Sequence, residues 1–418
     1  MKVLEIEGGK ELSGYIRVSG AKNSSVALIP AAILAEGEVT ICNVPEIKDT
    51  DSLSEILEFL GADVKRASES IVLNSAPIEN KAIPEGVAQK LRASYYFMGA
   101  LLGKYGHVEM YFPGGCSIGK RPINLHLKGF EALGATVKNE GNKYIVDAKE
   151  LKGANIYLDI ASVGATINIM LAAVKAKGTT VIDNAAKEPE IVNVATFLNN
   201  MGAKISGAGT STIKIEGVEE LHGCFHEVIP DRIEAGTYII IAALIGRDLR
   251  IDNVIPEHLE ALFSKLQDLG VDLEIGEDYV VVNSKDNYKP TNITTLVYPG
   301  FPTDLQQPFS VLLTKATGRS CINETIWENR FMHVPYLNKM GADMTVDGTT
   351  MCAIGPSKLK ACEVEATDLR AGAALVAAAL IAEGKTTITN IDHILRGYER
   401  IVEKLEGIGA IIREVEKA

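Results

Sequence analysis

Residues 111–126 read YFPGGCSIGKRPINLH and place one thiol, Cys116, between a Gly-Gly pair and a Gly-Lys-Arg-Pro run. Lys120 and Arg121 beside a thiol favour its thiolate if they face it. The glycines permit backbone shapes that other residues resist, and Pro122 suits the first turn of a helix. Cys116 therefore stands open between a reactive acid or nucleophile and an ordinary surface thiol. A second set of polar side chains opens a series of apolar runs: Lys22 with Asn23, Arg92, Ser162, Asp231 with Arg232, Asp304, and Asp368 with Arg370. Ser162, Asp231 and Asp368 read first as helix caps, because their oxygens accept the orphan N–H groups of a first turn. Asp304, in FPTDLQQP, reads equally as a first-turn carboxylate. Lys22, Arg92 and Arg370 oppose the helix macrodipole, which points to an anion shared between side chains and helix ends. A third set, Lys48, Glu188, Glu190, Arg330 and Arg396, follows glycine-led strands. Each of these alone reads as a solvated charge.

The elements that must position these groups recur six times. LGADVK from Leu60, LGATVK from Leu133, MGAKIS from Met201, LGVDLE from Leu269, MGADMT from Met340 and IGAIIR from Ile408 start 73, 68, 68, 71 and 68 residues apart. Each is preceded by a glycine and an alternating strand, such as GEVTICN from Gly37 or GKTTITN from Gly384, and before that by a run apolar nearly all round, such as GATINIMLAAV. Such a run predicts a buried helix. The second helix of each unit is amphipathic, with Ile123, Leu127, Phe130 and Leu133 on one face of INLHLKGFEALG. A period of roughly 70 residues exceeds that of the common solenoids and predicts closed domains. The fold class expected is α/β, with sheets wrapped around central helices. ELKGANIYLDI, ELHGCFHEVI and KLKACEVEA close repeats, and ELSGYIRVSG near the N-terminus has the same form. Residues 1–21 are thus expected to complete the sixth repeat. That gives one domain over residues 22–229 and a discontinuous one over 1–21 and 230–418, with a hinging cleft between them.

Composition narrows the partners. The chain has 418 residues, 46% hydrophobic and 23% charged, with a formal net charge of -12. That balance speaks against nucleic acid or an anionic membrane as main partner, and no apolar run is long enough to insert in a bilayer. An N-terminus without a signal-peptide core predicts a cytoplasmic protein. Cys42, Cys116, Cys224, Cys321, Cys352 and Cys362 form no CxxC pair, so neither a disulfide framework nor a zinc site is expected.

At SGAKN, LRAS, PGGCSIGKRP, SVGAT, EPEI, PDRIEAGT, FPTD, ENRFMH, ATDLRA and RGYERI the chain closely resembles the UDP-N-acetylglucosamine 1-carboxyvinyltransferases, enolpyruvyl transferases of bacterial peptidoglycan synthesis within the EPSP synthase superfamily. The match runs end to end. The resemblance implies a two-domain inside-out α/β barrel of six repeated units, three per domain. It also implies transfer of the enolpyruvyl group of phosphoenolpyruvate to the 3-hydroxyl of UDP-N-acetylglucosamine, with release of phosphate and with neither metal nor cofactor. In that picture Lys22, Arg121 and Arg396 bind phosphoenolpyruvate, with Lys48 as a further cation on the phosphate side. Asn23, Arg92, Arg121, Pro122, Ile123, Asn124, Leu125, Ser162, Val163, Gly164, Asp304 and Ile326 contact the nucleotide sugar. Cys116 stands where the family has its proton-donating cysteine, and Asp304 is expected as the base or as the group that orients the sugar 3-hydroxyl. Ile160 departs from members with a basic residue before SVGAT. Two rivals share the fold: the sister enzyme acting on shikimate 3-phosphate, and a non-catalytic nucleotide-sugar-binding regulator. PGGCSIGKRP and SVGAT speak against the first. Lys22, Cys116, Arg121, Asp304 and Arg396 together speak against the second, because a regulator need not keep both acid and base.

Overall fold

The computed structural model describes residues 1–89, 95–111 and 123–417; Arg92, Cys116, Lys120, Arg121 and Pro122 lie outside the described residues. Six apolar runs form helices: Lys22–Ala31, Tyr96–Tyr105, Val163–Ala173, Arg232–Ile245, Thr303–Leu313 and Leu369–Ile381. In the third, every residue from Ala165 to Ala173 is buried, so it presents no solvent face. Small residues let these helices touch. A Cβ on Gly99 would lie 2.3 Å from Asn168 Oδ1 and 2.4 Å from Asn168 O, so only glycine admits the Tyr96–Tyr105 helix this close to Val163–Ala173.

The recurring glycine of the LGA-type phrase has a common cause. Gly61 sits at φ 98° and ends the helix Lys48–Leu60, its N–H bonded to the carbonyl of Glu58. This is the left-handed cap that glycine adopts without a Cβ penalty. Gly134, Gly202, Gly270, Gly341 and Gly409 repeat the positive φ.

Each sheet is built across repeats. Glu38–Cys42 pairs antiparallel with Ser70–Asn74, with Val39 opposite Leu73 and Ile41 opposite Ile71, and parallel with Phe225–Glu227 from two repeats later. The alternation buries Val39 and Ile41 and leaves Glu38 exposed, as a sheet with one packed face requires. The closing strand of one repeat always joins the sheet of another: Asn155–Tyr157 joins Thr179–Asp183, Ile293–Thr294 joins Gly318–Asn323, and Glu363–Glu365 joins Lys385–Thr389. The sixth repeat is completed by the N-terminus. Lys2–Glu7 lies antiparallel between Lys385–Thr389 and Ile411–Glu416, and Tyr15–Arg17 adds parallel to Leu249–Asp252. Each set of three repeats is closed on itself in this way, with helices inside and sheets outside: an inside-out α/β barrel.

The chain divides into two compact units, one holding Met1–Ser19 and the chain from Pro230 onward, the other the described residues between Gly20 and Ile229. Each unit has its own apolar core. Ile239, Val311 and Leu375 from three central helices lie in one core; Leu28, Leu101 and Ile169 lie in the other.

One expectation is corrected here. Cys321 and Cys352 form a disulfide, with Cα atoms 4.1 Å apart. They sit directly opposite each other in the antiparallel pair Gly318–Asn323 and Thr350–Gly355. A missing CxxC excludes a local pair only; strand register brought these two together across 31 residues.

Candidate active site

In the unit holding the N-terminus, chemistry gathers at the starts of three central helices. Asp304 is the second residue of Thr303–Leu313, whose N-cap is Pro302. Its carboxylate receives Arg330 Nη2 at 2.7 Å on Oδ1 and Arg370 Nη2 at 3.4 Å on Oδ2. Both guanidiniums are buried while the Asp304 side chain keeps 26% of its surface exposed. Two fixed cations thus deliver one carboxylate to an accessible position.

A polar scaffold holds those cations. Arg330 Nε donates to Gln307 Oε1 at 3.2 Å, and its backbone carbonyl accepts from Gln306 Nε2 at 3.0 Å. Gln307 Nε2 reaches Asp368 at 3.4 Å. Arg370 Nη1 donates to Tyr398 OH at 3.0 Å, which bonds Thr237 Oγ1 at 2.9 Å. Burial works against the Arg370 charge, but Tyr398, Asp304 and Asp231 outweigh it and raise its pKa. Asp368 and Asp231 are N-caps, accepting from Arg370 and Ala371, and from Ile233 and Glu234. Glu324 accepts the N–H of Ile326 at 2.9 Å and the hydroxyl of Thr303, the neighbour of Asp304, at 2.9 Å. Ile326 is 36% exposed on that loop. Arg396 caps the C-terminus of Asp392–Leu395 two residues before Tyr398 and is half-buried.

In the other unit Lys22 and Asn23 open the helix Lys22–Ala31. Lys22 Nζ lies 3.0 Å from Asp49 Oδ2, and both side chains are largely buried. Lys48, expected in a loop, is the exposed first residue of the helix Lys48–Leu60. The anion suggested by cations at helix starts is therefore partly internal: Asp49 for Lys22 and Asp304 for Arg370. Ser162 caps Val163–Ala173, its Oγ accepting from Ala165 N at 3.2 Å. Val163 and Gly164 follow, half-buried, while Ile160 is exposed. Ile123 is the N-cap of Asn124–Ala132, whose Asn124 is exposed and Leu125 half-buried. Glu188 occupies the N-cap position and Glu190 the first turn of Pro189–Asn200.

The structure thus unites Asp304, Arg330, Arg370 and Asp368 in one unit, and separately pairs Lys22 with Asp49 in the other. Sequence reasoning missed Asp49, Gln306, Gln307, Glu324 and Tyr398. Asp49 was signalled by its place next to Lys48, and Tyr398 by its place in RGYERI; the glutamines, in an apolar run, carried no signal. Among the described residues no group of three or more His, Cys, Asp or Glu is placed to hold a metal ion, and no helix is long and apolar enough to cross a membrane.

Two closed three-repeat barrels, one with an arginine-held carboxylate at a helix start and the other with a buried Lys22–Asp49 pair, define a fold with known counterparts. A family model described as EPSP synthase (3-phosphoshikimate 1-carboxyvinyltransferase) matches residues 6–405, and the chain belongs to this family of enolpyruvyl transferases. It is 55% identical over 409 residues to UDP-N-acetylglucosamine 1-carboxyvinyltransferase 2 of Listeria monocytogenes, covering 98% of this chain and 97% of the relative. The protein of that name from Geobacillus kaustophilus is 55% identical over 412 residues, covering 99% and 96%. Among solved structures, the enolpyruvyl transferase NikO from Streptomyces tendae superposes with a TM-score of 0.92 at 30% identity, covering 100% of this chain and 99% of that one. EPSP synthase from Acinetobacter baumannii, with a TM-score of 0.77 at 19% identity over the whole of both chains, shares the fold.

Proposed function

We propose that this protein transfers the enolpyruvyl group of phosphoenolpyruvate to the 3-hydroxyl of UDP-N-acetylglucosamine, releasing phosphate, as an early step of peptidoglycan synthesis in the cytoplasm. The observation that carries this is the 55% identity across nearly the whole chain with relatives bearing that activity in their name, against 19% with the shikimate enzyme. No nucleic acid, membrane or cofactor takes part.

The reaction is an addition followed by an elimination. Asp304 takes or orients the proton of the sugar 3-hydroxyl, and Cys116 gives a proton to the methylene carbon of phosphoenolpyruvate, so that the sugar oxygen bonds to the adjacent carbon. A proton then leaves the new methyl group as the C–O bond to phosphate breaks. Lys22, Arg121 and Arg396 hold the phosphate and carboxylate, supplying fixed positive charge. Support for the role of Asp304 comes from its geometry. Arg330 Nη2 at 2.7 Å and Arg370 Nη2 at 3.4 Å hold the carboxylate in one place, and 26% of its side chain stays exposed to a hydroxyl. Asn23, Arg92, Arg121–Leu125, Ser162–Gly164 and Ile326 bind the nucleotide sugar, with the Ser162 cap leaving its hydroxyl proton for a phosphate oxygen.

The test is phosphate release from phosphoenolpyruvate with each acceptor in turn. Turnover with UDP-N-acetylglucosamine and none with shikimate 3-phosphate is expected. The reverse preference assigns the sister activity, and no release with either leaves a binding protein.

A further inference from the structure

Behind the Ser162–Gly164 segment lies a buried polar cluster that the reaction does not use. His126, on the helix Asn124–Ala132, is 6% exposed, and Asn168, one turn into Val163–Ala173, is fully buried. Asn168 Oδ1 accepts the Gly99 N–H at 2.8 Å, so its amide orientation is set. Its Nδ2 then donates to the Tyr95 carbonyl at 3.0 Å and to His126 Nδ1 at 3.0 Å. Because Nδ1 accepts, the ring proton resides on Nε2. That edge of the ring faces Gly164. A Cβ built on Gly164 would lie 3.0 Å from His126 Cε1, 3.2 Å from Nε2 and 3.3 Å from Tyr95 Cε2. Tyr95 in turn meets the His126 ring edge-on, with centroids 5.2 Å apart at 76°.

One imidazole thus ties together the starts of three central or flanking helices. We propose that His126 is a positioning residue for the nucleotide sugar: fixed by Asn168, its ring edge sets where the backbone at Gly164 lies relative to Asn124 and Leu125. This rests on the reading that Ser162–Gly164 and Ile123–Leu125 bind UDP-N-acetylglucosamine. An apolar side chain of equal size would fill the space without being held in one orientation, and orientation is what a binding segment requires. Burial pulls the ring's pKa down to about 4, so it stays neutral at neutral pH.

The test uses three variants of the full chain. His126→Asn keeps an acceptor for Asn168 near the Nδ1 position but withdraws the ring edge from Gly164. With the Gly164 backbone no longer held in place, it is expected to raise KM for UDP-N-acetylglucosamine about tenfold, with KM for phosphoenolpyruvate and kcat within about twofold. Gly164→Ala drives a methyl into the ring and raises the same KM. In the double variant the methyl fills the vacated space, so KM falls back toward the wild-type value, a rescue that general destabilisation would not give. Two results overturn the proposal: an unchanged nucleotide-sugar KM in His126→Asn while Gly164→Ala raises it, or an equal rise in both KM values with a lowered melting temperature. If neither single variant shifts the nucleotide-sugar KM, the binding role of Ser162–Gly164 itself fails.

Discussion

Asp304 shows how a residue's neighbours change what its substitution tests. As a helix cap, Asp304→Asn would be nearly silent in stability, since Asn accepts the same backbone bonds. In the structure its carboxylate also meets two buried arginines. An amide nitrogen turned toward Arg370 leaves a buried guanidinium short of its counter-charge. We expect Asp304→Asn to lose about 1–3 kcal/mol of stability by urea unfolding and, assayed well below its melting temperature, to lose about 100- to 10,000-fold in kcat with little change in either KM. Near-normal kcat would remove Asp304 from the chemistry and leave it a clamp for the two arginines. A second residue-scale expectation concerns Gln307, which divides its amide between Arg330 and Asp368. Gln307→Leu leaves Arg330 Nε without its acceptor, so kcat should fall by about tenfold or more as Asp304 loses alignment; unchanged kcat would show that the Arg330–Asp304 pair is held without it.

At the scale of elements, the repeat was legible because its causes are local. A glycine that must take φ near 98° after Leu60 recurs wherever a second helix ends, and a run such as ATINIMLAA can only be buried. The partners of charged residues were not legible, since they arrive from elsewhere: Asp49 reaches Lys22 from the second helix of its repeat, and Arg370 reaches Asp304 from the next repeat. The same limit hid the disulfide, for only the register of Gly318–Asn323 on Thr350–Gly355 sets Cys321 opposite Cys352. That bond staples the strand leading to Glu324, which in turn fixes Ile326 and Thr303. Closing a loop of 31 residues limits the unfolded chain, so reduction should lower stability by up to about 4 kcal/mol. Urea unfolding with and without dithiothreitol, alongside a Cys321→Ser/Cys352→Ser variant that should not respond to the reductant, measures this. An equal response in the variant would place the effect elsewhere.

At the scale of the molecule, three buried histidines link folding to pH. Burial pulls His126, His226 and His333 each down to about 4 from an ordinary 6.5. The unfolded chain therefore takes up protons at these sites where the folded chain does not. Their contribution to stability is complete above pH 6.5 and is lost as pH falls toward 4. Unfolding free energy measured from pH 7.5 down to 4.5 should drop with a slope of about three protons from these sites, and His226→Gln should reduce that slope by about one. A slope unaffected by the substitution would mean that His226 is already charged in the folded state. The pairing of the two ends has a different kind of consequence. Met1 and Lys417 exchange backbone bonds, the N-terminal amine to the Lys417 carbonyl at 2.9 Å and the Lys417 N–H to the Met1 carbonyl at 2.8 Å. A short linker can therefore fuse these ends, and a chain reopened between Ile229 and Pro230 would read each three-repeat unit as one uninterrupted segment, turning a gene that threads the first unit twice into a plain tandem of two halves.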